Sequence, residues 1–347
     1  MNLLGFLDHA WSYVKRAVKG ESSPADYLRL YFIRQLSTIY KTISRKKYPE
    51  SGISIKKCSP DETTVARYWG EYTVNSHPFS TRWESQKYFE WLVKVYPLLD
   101  ELMDFHQNRS DQVILDYGCG PGNDIFRFLI INNAKKVIGM DVSLKALELA
   151  RQRLSLYEIN PDRLELIQCS DSINTLPVDS ESIDHINCAG VLHHTINPDK
   201  ILGEFWRVLK NGSSGNIMVY NQDSIFYHLH IAYRVMITQN RYKGMSVKEA
   251  FTRSTDGENC PISRCYKADE FSTICRNAGF EVDYSGGYFD RMEPYFLKEF
   301  GKKAMNDKRL AAEHREFLSR LEFDKRGYPK FQGKYAGIGG VYKIYKR

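Results

Sequence analysis

Three acidic residues and a cluster of glycines carry the first chemical signal in the chain. The stretch Val113-Ile114-Leu115-Asp116-Tyr117-Gly118-Cys119-Gly120-Pro121-Gly122 is an apolar run that ends in an acid and opens into a turn with glycine at 118, 120 and 122. Such a turn, set between a strand and a helix, brings backbone N–H groups close to a ligand. A dinucleotide fingerprint needs its third glycine at the sixth position, and here Asn123 stands there. Asp116, two residues before the first glycine, repels a pyrophosphate and suits a cationic or amino-bearing ligand. No Gly-Lys-Ser/Thr follows, so the loop is not a P-loop. Asp141 follows Gly122 by 19 residues, the spacing at which the acid ending the second strand meets a ribose diol. Asp171 closes a third strand, where an acid can accept from an adenine amino group; by itself it reads as a solvated turn residue.

Histidine, tyrosine and cysteine supply the remaining reactive side chains. His193 and His194 follow the fourth strand, and with Tyr220 and Tyr266 they are the candidate proton acceptors. His194 is the preferred base. A structural role for the His-His pair is an equally good reading. His228 and His230 form a His-x-His, but spacing places no third or fourth ligand near them, so no metal is expected. The seven cysteines are scattered without a Cys-x-x-Cys. They read as reduced thiols of a cytoplasmic protein. Cys188 reads as a buried strand residue.

The elements that must position these groups follow in order. Val113–Leu115 and Lys136–Asp141 read as strands, and Ser143 caps a helix over 144–156. Leu164–Cys169 is a third strand, followed by Ser170-Asp171-Ser172. His185–Ala189 is a fourth and Asn216–Asn221 a fifth, with a helix over 199–209 between them. The run Asn211-Gly-Ser-Ser-Gly215 reads as the loop ending that helix. A helix over 268–279, a strand over 280–285 and a last strand over 338–345 complete the alternation. Alternating strands and helices predict an α/β fold.

The ordered run Asp116-x-Gly118-x-Gly120-x-Gly122, Asp141, Leu176–Asp184, Gly190-Val-Leu-His-His194 and Leu202–Lys210 resembles the class I S-adenosylmethionine (SAM) methyltransferases. It is most similar to the subgroup that includes the ubiquinone/menaquinone and sterol types. Two departures are visible: Ile183 stands where an aromatic is usual, and Asn211-Gly-Ser-Ser-Gly215 replaces a Pro-Gly-Gly. The resemblance implies a Rossmann-like seven-stranded, mostly parallel sheet with an antiparallel last strand, N-terminal helices and two helical insertions. It implies SAM as cofactor, held by Asp116, Gly118, Cys119, Gly120, Gly122, Asp141, Val142, Asp171, Ser172 and Ala189. By position, His194, His193 and Tyr266 are expected at the reacting end, and no metal is expected there.

The expected organisation is N-terminal helices and linker over 1–58, a helical lid over 59–108, and a SAM-binding core over 109–289 with a substrate insertion at 222–267. A basic helical insertion over 290–335 and a final strand over 336–347 follow. Residues 2–19 carry Leu4, Leu7, Trp11, Val14 and Val18 on one face. That helix either packs on the main domain, the preferred reading, or lies on an anionic membrane surface. Charge divides unevenly: residues 1–60 hold 11 Lys/Arg against 4 Asp/Glu, residues 296–347 hold 14 against 6, and the middle is acidic. The function expected is methylation of a small, apolar or lipid-like acceptor, favouring oxygen, with no nucleic-acid partner. An RNA methyltransferase and a non-catalytic SAM-binding scaffold are the alternatives.

Overall fold

The computed structural model describes residues 52–58, 63–74, 76–170 and 175–347. The N-terminal helices expected within 1–58, that over 2–19 among them, and with them any membrane-surface contact, fall on residues 1–51, outside the described residues, as do Asp171 and Ser172.

A nine-stranded sheet forms the centre. Its strands are β1 (Ile55–Lys57), β2 (Val113–Tyr117), β3 (Lys136–Asp141), β4 (Leu164–Gln168), β5 (Ile183–Ala189), β6 (Leu209–Asn221), β7 (Cys265–Tyr266), β8 (Glu281–Tyr288) and β12 (Gly339–Tyr345). The order is β1-β4-β3-β2-β5-β6-β12-β8, with β7 on β6. Every described pairing from β1 to β6 is parallel, and β12 runs antiparallel between β6 and β8. The expected seven strands are present; β1 and β7 are additional. β1 lies in the segment read as linker, where three residues were too short a run to show a period. From β2 the chain moves outward to β3 and β4, then returns to β5 on the other side. A crevice therefore opens at the carboxyl ends of β2 and β5, the switch point of such a sheet.

Helices cover both faces. On one face α5 (Pro198–Val208) and α8 (Ala268–Asn277) bury Phe205 and Phe271 against Ile186 and Tyr342. On the other, α3 (Asn123–Phe126, continued to Ile131 at π pitch) and α4 (Leu144–Ser155) bury Ile125, Phe126, Ala150 and Leu154. Full burial of each such large side chain stabilises by roughly 1.5–3 kcal/mol. Ahead of the sheet stand α1 (Thr64–Glu71) and α2 (Arg82–Val95), each started by a threonine whose hydroxyl accepts from the third residue of the helix. Beyond β6 come α6 (Phe226–Thr238), of π pitch, and α7 (Val247–Thr255).

Two expectations fail here. Residues 211–215 form no loop: β6 starts at Leu209, directly after α5, because Gly212 at φ 76° turns the chain and donates to the Lys346 carbonyl at 2.7 Å. The 290–335 insertion is helical only in its first part, α9 (Met292–Asn306) and α10 (Ala312–Ser319). It ends in a small antiparallel sheet of β9 (Glu322–Phe323), β10 (Pro329–Phe331) and β11 (Lys334–Tyr335). No helix among the described residues is long and apolar enough to cross a membrane.

Burial pushes the His185 imidazole on β5 down to about 3. Below its ordinary value of 6.5 the unfolded chain takes up a proton that the folded chain refuses, so this contribution to stability is whole above 6.5 and drains as the pH falls toward 3. Comparing wild type with His185→Gln isolates the effect from the carboxyl groups. In urea unfolding the variant should gain on wild type by roughly 2 kcal/mol between pH 7 and pH 5. A stability difference that does not change with pH contradicts the assignment.

Candidate active site

At the crevice lies a cavity of about 500 Å³. One wall is built by strand ends and their loops. Gly118 N and Cys119 N both donate to the Met140 carbonyl at the end of β3, at 2.7 and 2.9 Å. Gly118 sits at φ 75°, and a Cβ there would stand 2.1 Å from Val191 Cγ2, so only glycine fits. Gly120, at φ 52°, faces open space. The Asp141 carboxylate accepts from Gly120 N at 2.8 Å and from Ser143 N at 2.8 Å. It thereby holds the glycine loop to the first turn of α4. Burial raises its pKa, and these backbone donors oppose the rise.

Asp116 stands next to the last residue of β2, in almost complete burial. Its Oδ1 accepts from Asn187 Nδ2 on β5 at 2.8 Å, and the same amide reaches Asp124 Oδ2 at 3.2 Å. Asp116 Oδ2 is buried without a hydrogen-bond partner among the described residues. Burial, then the Asp124 charge, push the Asp116 carboxyl well above the usual range. An unpaired carboxylate oxygen on a residue that lines a cavity fits a positively charged hydrogen-bond donor such as an ammonium.

The opposite wall is aromatic. Val65, Trp69 and Val74 around α1, Leu92 and Tyr96 around α2, and Phe226 and Tyr288 line it. The buried Arg153 of α4 fixes α2 in place, donating to Ser85 Oγ at 2.8 Å and to Asn123 Oδ1. Its guanidinium lies 4.9 Å from the centre of the Phe79 ring and 4.7 Å from that of Phe126.

Between the walls stands His194. Its Nδ1 lies 2.7 Å from the Ile262 carbonyl, which can only accept, so Nδ1 carries the proton and Nε2 offers a lone pair. Nε2 lies 3.8 Å from Asp256 Oδ2. Asp256 in turn accepts from Tyr220 Oη at 2.9 Å and from Ser263 Oγ at 3.0 Å. The Trp69 ring meets the imidazole edge-on at 4.7 Å. Burial lowers the His194 pKa, Asp256 opposes it, and the group is held neutral.

Of the residues expected from sequence, Asp116, Gly118, Cys119, Gly120, Asp141, Val142, Ala189 and His194 line one cavity. Three do not. Gly122 lies beneath α3, where a Cβ would stand 3.0 Å from Ala150 Cβ, so its smallness serves helix packing. His193 is fully buried, with ring centres of His194 and Tyr220 each 4.0 Å away and neither nitrogen partnered among the described residues. Tyr266 packs in the core, 5.1 Å from Phe271. Tyr220 keeps its phenol proton on Asp256, because burial and that charge raise its pKa well above 10. Reasoning from sequence missed Asp256, Asp290 and Asn187, which stand in no motif. His228 of the His-x-His bonds His314 Nδ1 at 2.8 Å through its own Nδ1.

Residues 108–269 match the family described as a methyltransferase domain. The chain is 25% identical over 181 residues to ubiquinone biosynthesis O-methyltransferase of Neisseria meningitidis, covering 52% of this chain and 71% of that protein. It is 30% identical over 151 residues to tRNA U34 carboxymethyltransferase of Campylobacter jejuni, covering 44% of this chain and 45% of that protein. A solved structure, geranyl diphosphate C-methyltransferase from Streptomyces coelicolor, aligns over 82% of this chain and 96% of its own, with 13% identity and a TM-score of 0.47. The chain spans 31% and 25% of the length of two uncharacterized bacterial proteins that it also matches. Residues 108–269, just under half of this chain, are thus similar to the domains of SAM-dependent methyltransferases.

Gly118→Ala and Gly120→Ala separate the two uses of the loop. The first collides with Val191 and should lower the melting temperature by several degrees. The second should cost about 1 kcal/mol of backbone strain yet weaken SAM binding at least tenfold, because its methyl occupies the cavity. Equal effects of the two on both readouts contradict this placement.

Proposed function

We propose that this protein transfers the methyl group of SAM to an oxygen of a small, apolar or lipid-like acceptor. One observation carries the reading: acidic residues at the strand ends, aromatic side chains and His194 line one cavity. In this reading Asp116 Oδ2 takes the cofactor's ammonium, Asp141 its ribose hydroxyls, and the N–H groups of the glycine loop its remaining polar edge. Cys119, Val142 and Ala189 fill the wall beside it. Asp171 and Ser172 are proposed, from resemblance alone, to meet the adenine.

SAM supplies a methyl already activated by a positively charged sulfur, so the protein must align a nucleophile and keep water out. A hydroxyl is a poor nucleophile until it loses its proton. That proton leaves at the His194–Asp256 end, where the neutral imidazole presents its lone pair. The aromatic wall favours an apolar or aromatic acceptor body. Asp116, Asp124, Asp141, Asp256 and Asp290 line the cavity, and no lysine or arginine among the described residues does. A phosphate or carboxylate near the reacting atom is therefore opposed. The cysteines form no disulfide among the described residues, in accord with a reducing, cytosolic setting. The tRNA-acting relative and the basic chain ends favour a second reading, an RNA acceptor, which predicts RNA affinity falling steeply with salt.

Calorimetric titration tests the cofactor half: wild type should bind SAM, and Asp141→Ala should lose at least tenfold. His194→Gln should lower kcat about 10²–10⁴-fold with SAM affinity unchanged, measured on labelled product formed from cell extract. Absence of SAM binding by wild type removes the proposal. Transfer by His194→Gln at the wild-type rate removes the role of that end of the cavity.

A further inference from the structure

Beside His194 stands a second kind of donor that methyl transfer does not require. Cys260 is buried four residues after Asp256, and one ligand atom each of His194, Asp256 and Cys260 lies within 4.8 Å of the other two. These are an imidazole nitrogen, a carboxylate oxygen and a sulfur on the loop that follows α7 and on the turn after β5. All three are oriented by neighbours. His194 Nδ1–H donates to the Ile262 carbonyl, the second contact that aims a ligating imidazole and fixes its tautomer. Asp256 is held by the hydroxyls of Tyr220 and Ser263, and its backbone carbonyl accepts from Tyr68 of α1. The Cys260 thiol points at the same Ile262 carbonyl, 3.3 Å away.

We infer that His194 Nε2, Asp256 and Cys260 form a site for one divalent transition-metal ion, Zn2+ by its donor set. Mixed N, O and S donors suit zinc, whereas Mg2+ and Ca2+ select oxygen alone. Three protein ligands leave the fourth tetrahedral position free, the pattern of a site that binds an exchangeable oxygen. His194 and Asp256 line the cavity, so that position is open to the acceptor. Binding the ion displaces the proton of Cys260, and the thiolate and carboxylate then neutralise the two positive charges. The inference deepens the oxygen-acceptor reading of the same site and replaces its proton acceptor: with Nε2 on the ion, His194 holds the metal instead of taking the proton. An acceptor hydroxyl bound to the ion becomes acidic, its proton passes to solvent, and the oxygen keeps the electron pair with which it attacks the methyl.

The full-length protein, stripped with chelator and dialysed against Zn2+ and separately against Co2+, tests this. One equivalent of zinc should remain after gel filtration. The cobalt form should show a near-ultraviolet thiolate-to-metal band that is lost in Cys260→Ser and kept in Cys58→Ser, Cys58 being exposed. Zinc retention should fall at least tenfold in Asp256→Asn. If that variant unfolds by near-ultraviolet circular dichroism, the Cys260→Ser spectrum alone decides. No stoichiometric metal in wild type, or a cobalt spectrum unchanged by Cys260→Ser, overturns the inference. SAM titration of the same wild-type sample keeps the two readings apart: intact SAM binding without metal ends the metal site only, and metal without SAM binding ends the methyltransferase reading only.

Discussion

A single amide sets the electrostatics of this protein. Asn187 Nδ2, at the middle of the sheet, donates to Asp116 and also to Asp124. Two carboxylates are thereby held close in a region that desolvates both, and burial is the largest cause of the raised pKa of each. Arg127 offsets part of the Asp124 charge but is also committed to Asp100 at 2.8 Å. Asp116 Oδ2 keeps no protein donor among the described residues. Retaining such an oxygen costs on the order of 1–3 kcal/mol. In the proposed reading the cofactor's ammonium supplies the missing positive charge at that oxygen.

The remaining architecture can be understood as support for that wall and for the one opposite. Gly118 and Cys119 are tied to Met140, and Asp141 ties Gly120 to α4. Arg153 carries the tie onward from α4 to α2 through Ser85. Glu293 does comparable service on the far side. Buried in α9, it accepts from the backbone of Phe226, Asp290 and Ile338, joining α6, the end of β8 and the approach to β12. Phe226, Asp290 and Ile338 all line the cavity. Insertions remote in sequence therefore converge on the acceptor end through one carboxyl group.

The cofactor wall was legible because its signals are local. An acid ending a strand, glycines at fixed offsets and a second acid 19 residues on are read without tertiary information. Ser143 announced the start of α4 for the same reason. Gly122 was read as a ligand contact because spacing cannot separate a glycine that faces a cofactor from one pressed on Ala150. Residues 211–215 had the composition of a loop, yet pairing with the last strand made them part of β6. Asp256 was invisible: it becomes a site residue only when α7 returns it to His194, across 62 residues of chain. His193 and Tyr266 were drawn in by proximity in sequence, and the turn after β5 and strand β7 place them in the core.

The central claim is that this cavity is built around a buried, unpaired carboxylate awaiting a cation. Its most direct test counts protons released when SAM binds, by calorimetry in buffers of differing ionisation enthalpy. An ammonium placed beside Asp116 favours the ionised carboxyl, so binding at about pH 5.5, where the ammonium is fully charged, should release protons. The release should fade as the pH rises and should be smaller in Asp116→Asn. SAM binding with no proton release at low pH, or with the same release in Asp116→Asn, contradicts the claim.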